Sequence, residues 1–319
     1  MRVLVAGGAG FIGSNLVDVL LAHGHTVACI DDFYLGTREN IQAFGENTSF
    51  HFYQEDICNE ARLLDIMKAE QPDCVLHLAA NSDIQASAQD PAVEYAHTYA
   101  TTFHLLQAMR TCGVKRFFFA STSAVYGDKK GELLSETTPN LAPVSYYGAA
   151  KLGSEALISA YAYMNDMHAL VFRFPNVIGP NLTHGVVHDF VQKLRKNPHE
   201  LEILGDGRQT KPYLYVRDLV EAIVAYLDVP QGVTLYNIGV GTATSVTRIA
   251  DIICEEMGLT DVAYRYTGGA GGWKGDVPRF QYDLRKIHAT GWHAKHTSDE
   301  AVRLAARWMV EKARKAAER

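Results

Sequence analysis

Over its first 174 residues the chain repeats one unit, a short apolar run followed by a stretch with helical periodicity. The runs are "RVLVA" (2–6), "TVACI" (26–30), "SFHFY" (49–53), "CVLHLA" (74–79), "RFFFAS" (116–121) and "ALVFRF" (169–174). These runs read as buried strands, the pattern of a strand covered on both faces. Helical patterns occupy 13–23, 60–69, 92–111 and 145–164. Such alternation predicts parallel βαβ units, and so an α/β fold with a doubly wound parallel sheet. After Pro180 the pattern loosens. A helix is expected over 218–228, "TLYNIG" (234–239) reads as a strand returning to the main sheet, and a closing helix is expected over 298–317. We therefore expect a first domain over 1–175, with a return segment near 210–240, and a smaller interleaved α/β domain over 176–319.

"VLVAGGAGFIGSNLV" joins the first strand to the first helix and places Gly7, Gly10 and Gly13 at the spacing G-x-x-G-x-x-G. Glycines there let backbone approach a pyrophosphate, and the free N–H groups of the helix start favour its charge. A tight turn without a ligand would need the same residues. Asp31, eighteen residues after Gly13 at the end of the second strand, favours the dinucleotide. Its carboxylate can accept both hydroxyls of an adenosine ribose and repels a 2′-phosphate, so NAD is expected over NADP; Asp32 reinforces this. Asp56 and Ile57 follow the third strand, where they would line the adenine site or cap a helix.

"SYYGAAKLGSEAL" (145–157) sets Tyr147 four residues before Lys151, on one helical face, with Tyr146 pointing elsewhere. An aromatic anchor beside a solvated lysine would give the same dyad. The stretch "ASTSAVYGD" changes the weighting, because it follows the fifth strand and brings the hydroxyls of Ser121, Thr122 and Ser123 to the sheet edge that would hold the dinucleotide. Tyrosine titrates near 10. A neighbouring ammonium and a positive nicotinamide would favour its phenolate, making Tyr147 a base for a hydroxyl proton.

A formal net charge of −6 argues against a nucleic-acid partner. No apolar run is long enough to span a membrane. "MRVLVAGGAG" enters strand-like sequence at once, so no signal peptide is expected. Five scattered cysteines without a C-x-x-C pair predict buried, reduced thiols and a cytoplasmic location; no metal site is expected.

"GGAGFIG", "HLAA", "STSAVYG", "YYGAAK" and "FRFPNVIGP", in this order, resemble the extended short-chain dehydrogenase/reductases, and within them the NAD-dependent nucleotide-sugar epimerase/dehydratase family. "LEILGDGRQTKPYLYVRDLVEA" and "GDVPRFQYDLRKIHATGW" extend the resemblance over essentially the whole chain. It implies a Rossmann fold and a catalytic set of Thr122, Tyr147 and Lys151. Tyr147 would take the proton of the sugar 4-hydroxyl while hydride passes from C4 to NAD, and the 4-keto sugar would turn over and receive hydride on its other face. Lys151 would hold the nicotinamide ribose and lower the tyrosine pKa, and Thr122 would bind the reacting oxygen. NAD would further meet Gly7, Gly10, Phe11, Ile12, Gly13, Asp31, Asp32, Asp56, Ile57, Leu78, Ala79, Ala80, Ser82 and Thr98. Asn176, the loop Gly185, Val186 and Val187, the base-flanking Glu202, Ile203 and Leu204, and Lys211 with Asp276 at phosphate and ribose would bind the nucleotide-sugar, along with Thr122. Activity of the UDP-glucose/UDP-galactose C4-epimerase type and a homodimer built on helices 92–111 and 145–164 are the implied function and assembly.

Some positions depart from the family pattern. Lys211-Pro212 replaces a frequent Arg-Asp, and Trp273 replaces an arginine, which leaves Lys274 or Arg208 as pyrophosphate ligands. Thr98 stands where asparagine is usual, and Ser82 where some members carry lysine. A 4,6-dehydratase would need an Asp-Glu pair after Thr122, where this chain has Ser123 and Ala124. A one-way reductase and a non-catalytic dinucleotide sensor are the other readings. The sensor has no use for the hydroxyl–tyrosine–lysine set.

Overall fold

The computed structural model describes residues 1–228, 231–269 and 277–317. Trp273, Lys274 and Asp276 lie outside the described residues. The chain forms two compact units: Met1–Gly127 with Asn140–Arg173 and Val220–Tyr236, and Asp128–Pro139 with Phe174–Leu219 and Asn237–Arg319.

The first unit is built on seven strands: β1 (Arg2–Ala6), β2 (Thr26–Asp31), β3 (Phe50–Gln54), β4 (Cys74–His77), β5 (Arg116–Thr122), β6 (His168–Phe174) and β7 (Val233–Asn237). Their order is β7-β6-β5-β4-β1-β2-β3, and the pairings from β3 through β5 are parallel. The order reverses between β1 and β4, so a crevice opens at the carboxyl ends of those two strands, after Ala6 and His77. β4 is fully buried, as its unbroken apolar run predicts, whereas β3 is an edge strand with His51 and Gln54 exposed.

Helices α1 (Phe11–Ala22), α2 (Glu60–Glu70), α3 (Thr101–Cys112) and α4 (Tyr146–Met164) accompany the sheet. Asn59 and Ser145 cap α2 and α4 by accepting the N–H groups of Arg62 and Gly148. A core of Leu4, Ile30, Met67, Val75, Leu106, Met109, Phe117, Phe119 and Ile158 joins the strands to α2, α3 and α4. Each such side chain contributes about 1.5–3 kcal/mol on burial. The single helix expected over 92–111 is instead three pieces: a turn at Ala92–Glu94, a π-helical stretch at Tyr95–Ala100, and α3. Glu94 and Thr98 are polar and face inward; the wider turn sits between them.

In the second unit α5 (Val186–Lys196), α7 (Val246–Met257) and α8 (Ser298–Ala317) pack on one another, and α8 also covers the strand Tyr213–Tyr215. That strand pairs in parallel with Asn176–Ile178, and Glu200–Ile203 pairs with Ala263–Tyr266. The helix expected over 218–228 runs over Val216–Ala225 as α6. Asp218 near its start accepts the backbone N–H groups of Lys295 and His296 at 3.0 and 3.1 Å.

All five cysteines are free; Cys29, Cys74 and Cys254 are buried, but Cys58 and Cys112 are only partly so, against the expectation of uniform burial. Among the described residues no helix is long and apolar enough to cross a membrane.

Candidate active site

The glycine loop closes over the carboxyl end of β1. Gly7 has φ +82°, and a Cβ there would lie 2.6 Å from the Ala79 nitrogen; one on Gly13 would meet the Gly7 carbonyl oxygen at 2.1 Å. These contacts draw the turn against the residues after β4 and against the first turn of α1. A Cβ on Gly10 would meet nothing closer than the Gly7 oxygen at 3.3 Å, so its outer side is open. Gly10 caps α1 without a side-chain acceptor, which leaves N–H groups of the first turn for a ligand. Asp31, only 7% exposed, accepts the N–H groups of Ala9 and Phe33 at 2.9 and 2.8 Å. Burial raises its pKa against the lowering effect of those amides. An open glycine cradle, an uncapped helix and a carboxylate at the end of β2 fit a dinucleotide carrying a free ribose diol.

The other expected cofactor residues differ in exposure. Phe11, Ile12, Leu78, Ala79 and Ala80 are partly buried, Ile57 is buried, and Ser82 is exposed. Asp32 and Asp56 are exposed, each accepting the N–H two residues on, from Tyr34 and Cys58 at 2.8 Å. Those two carboxylates close local turns. Thr98 is fully buried and engaged with Glu94, as described below.

β5 ends in Thr122 and α4 begins at Tyr146, close enough that a Cβ on Gly148 would lie 2.6 Å from the Ala124 oxygen. Thr122 hydrogen-bonds the Tyr147 phenol, and its Oγ1 also accepts the Ala124 N–H at 3.2 Å. Lys151 is 1% exposed; its Nζ donates to the Ala120 carbonyl at 2.7 Å and sits 5.9 Å from the Tyr147 ring centre. Tyr146, by contrast, is 53% exposed. Of the three hydroxyls at this edge, Ser121 is committed elsewhere, donating to Glu155.

Lys151 was expected to lower the Tyr147 pKa, yet in the chain by itself that pKa is raised. Burial and the Glu94 carboxylate raise Tyr147, and the Thr122 hydrogen bond only partly opposes them. Burial also lowers Lys151 to about 7, against the pull of Glu94 and Glu155. An ammonium that holds its proton so weakly, and points it at a carbonyl, has little charge to lend the phenol.

Three residues behind this set were given no role in the sequence analysis. Glu155, one helical turn after Lys151, pairs with Arg173 of β6 through two hydrogen bonds of 2.9 and 2.6 Å, with both side chains under a tenth exposed. Its i, i+4 relation to Lys151 was the available signal. Glu94, 2% exposed, accepts from the Asn81 amide at 2.8 Å and the Thr98 hydroxyl at 2.7 Å. Nothing local in "DPAVEYAHT" marks that carboxylate as buried.

In the second unit, Asn176 opens its strand opposite Tyr213, and Gly185, at φ +93°, starts α5 ahead of Val186 and a buried Val187. Ile203 is buried, while Glu202 and Leu204 are exposed; Glu202 pairs with Lys193 at 3.1 Å. Lys211 lies in a two-residue strand opposite Thr244. Among the described residues, no group of three or more histidines, cysteines and acids could hold a metal ion.

The model of the NAD dependent epimerase/dehydratase family matches residues 3–239. A UDP-glucose 4-epimerase of Mycolicibacterium smegmatis is 34% identical over 82% of this chain and 84% of its own. The crystal structure of a Thermus thermophilus UDP-glucose 4-epimerase with NAD is 32% identical, with a TM-score of 0.86 over 97% of this chain and 98% of that one. A dTDP-glucose 4,6-dehydratase of Streptomyces venezuelae with NAD bound is 28% identical at TM-score 0.89, over 98% of this chain and 97% of that one.

Proposed function

Since this chain belongs to the NAD-dependent epimerase/dehydratase family, we propose that it inverts C4 of a nucleotide-sugar of the UDP-glucose/UDP-galactose type. The observation that carries the reading over its dehydrating relatives is the pair Ser123 and Ala124 directly after Thr122. Elimination of water across C5 and C6 needs an acid and a base there, and neither residue is ionisable. Tyr147 takes the 4-hydroxyl proton and returns it; Thr122 holds the same oxygen. Lys151 orients the cofactor ribose, and the glycine loop with Asp31 binds the rest of the dinucleotide. Bound there, NAD supplies the hydride acceptor and a positive ring that favours the Tyr147 phenolate.

We assign nucleotide-sugar binding to residues 176–319, with Asn176, Gly185, Val186, Val187, Glu202, Ile203, Leu204, Lys211 and Asp276 as ligands. The exposure of Tyr95 (67%), Tyr163 (87%) and Met164 (76%) on the helical segments supports a homodimer, and a monomer mass by light scattering at micromolar concentration would exclude it. Five free thiols fit a reducing cytoplasm.

The test is incubation with UDP-, dTDP-, GDP- and CDP-sugars without added cofactor, the products separated by chromatography. Interconversion of 4-epimers is expected. A 4-keto-6-deoxy product would make the protein a dehydratase.

A further inference from the structure

Lys151 has almost no solvent and a single backbone acceptor, and a charge on such a group is stabilised in a protein interior only by a counter-charge nearby. Two buried carboxylates act on it, Glu155 and Glu94. Glu155 is bound by the Arg173 guanidinium at 2.6 Å and by the Ser121 hydroxyl, so its charge is largely spent. Glu94 differs. Its hydrogen-bond donors, Asn81 and Thr98, are both neutral, and among the described residues it makes no ion pair. The two donors fix its position, and Thr98 in turn accepts the Asn81 N–H at 3.2 Å. The turn Ala92–Glu94 and the π-helical stretch after it pack on α4, which carries Tyr147 and Lys151.

We propose that Glu94 is a positioning residue for the epimerisation assigned above: its carboxylate is the counter-charge that sets the proton affinity of the Tyr147–Lys151 pair. The inference rests on that reading only in that it needs the pair to move protons. Other groups face the pair as well. His77 of β4 is fully buried, bonds Thr102 at 2.9 Å and is held neutral by burial, with the Lys151 charge adding to the effect. Asp83 lies beside Asn81, whose side-chain Oδ1 accepts the Asp83 N–H at 3.1 Å. Glu155 and Arg173 cancel one another. Removing Glu94's charge leaves Glu155, already bound by Arg173, as the other carboxylate acting on Lys151.

The consequence has a definite sign. A nearby negative charge raises the pKa of a phenol and of an ammonium alike, and Glu94 acts in that direction on both. With Glu94→Gln, which preserves shape and a hydrogen-bonding oxygen, both values fall. The two limbs of the pH profile of kcat/KM belong to the pair and not to either residue. Both should move to lower pH by about one unit, whichever group titrates on which limb. A defect of packing alone would lower the profile without sliding it.

The experiment measures kcat/KM against pH for the wild type, Glu94→Gln and Glu94→Asp, with circular dichroism to confirm folding. A parallel reading, independent of turnover, is the tyrosinate absorbance of Tyr147, obtained by difference from Tyr147→Phe in each background. The Gln profile should slide to acid on both limbs, Tyr147 should ionise at lower pH, and the Asp variant, which keeps the charge, should retain the wild-type limbs. Superimposable Gln and wild-type limbs would overturn the proposal. Should the Gln variant fail to fold, a slide of both limbs in the Asp variant would overturn it, and unmoved limbs would support it. Failure of the epimerase reading would be seen separately, as a wild-type protein with no 4-epimer product.

Discussion

The set at the end of β5 and start of α4 and the segment assigned to the nucleotide use their surroundings in opposite ways. Lys151 is 1% exposed and Thr122 9%, and the ion pair behind them is closed to solvent. Leu204 is 43% exposed, and Glu202 and its partner Lys193 stand largely in water at 58% and 39%. A buried polar group must be paired, so each residue of that set dictates its neighbours. An exposed side chain can change without disturbing anything beneath it. Relatives that share a fold and a cofactor can thus diverge in substrate, and the substrate is the harder thing to read.

If this contrast is sound, the largest effect belongs to Tyr147→Phe. It removes one oxygen and little volume, so the fold and cofactor binding persist, while turnover falls by about a hundred- to ten-thousand-fold. The same change at Tyr146, which is 53% exposed, should leave turnover near the wild-type rate. Reversed outcomes would mean that the dyad has been assigned to the wrong tyrosine.

Stability should divide in the same way. Glu155→Gln leaves Arg173 charged and buried without its partner, at a cost of about 3–5 kcal/mol in denaturant unfolding. Breaking the exposed Lys193–Glu202 pair with Lys193→Ala should cost less than about 1 kcal/mol. Equal costs would erase the distinction between the two regions.

A smaller effect comes from Lys151 itself. Burial lowers its pKa from 10.5 to about 7, so between these values the unfolded chain binds a proton that the folded protein has released. The destabilisation is fully present below about pH 7 and is relieved as pH rises toward 10.5. Relative to Lys151→Met, which lacks this group, the wild type should gain about 2 kcal/mol from about pH 7 to about pH 9. A difference independent of pH would mean that the folded protein keeps the Lys151 proton throughout.

The apolar runs and glycine spacing were enough to predict the order of strands and helices along the first unit, because buried strands and a tight glycine turn tolerate few alternatives. The tyrosine helix was legible for the same reason, with Ser145 supplying its cap. The break at Tyr95–Ala100 was not, since no proline or glycine within it marks it, and the burial of Glu94 and Thr98 beside it is set by tertiary packing. Nor was the upward shift of Tyr147. Periodicity puts Tyr147 and Lys151 on one face, but the acceptor that Lys151 chooses, Ala120, comes from another strand. Residue spacing gives neighbours along a helix; it is silent on which groups face them from across the core.

The central claim is a reaction that inverts a carbon and consumes nothing. With nucleotide-sugar carrying deuterium at C4, hydride held on a bound cofactor must return to the carbon it left. The label should remain at C4 in the inverted product, with no hydrogen entering that position from solvent and no free NADH accumulating. Loss of the C4 label to solvent, or NADH formed in proportion to substrate, would contradict the claim.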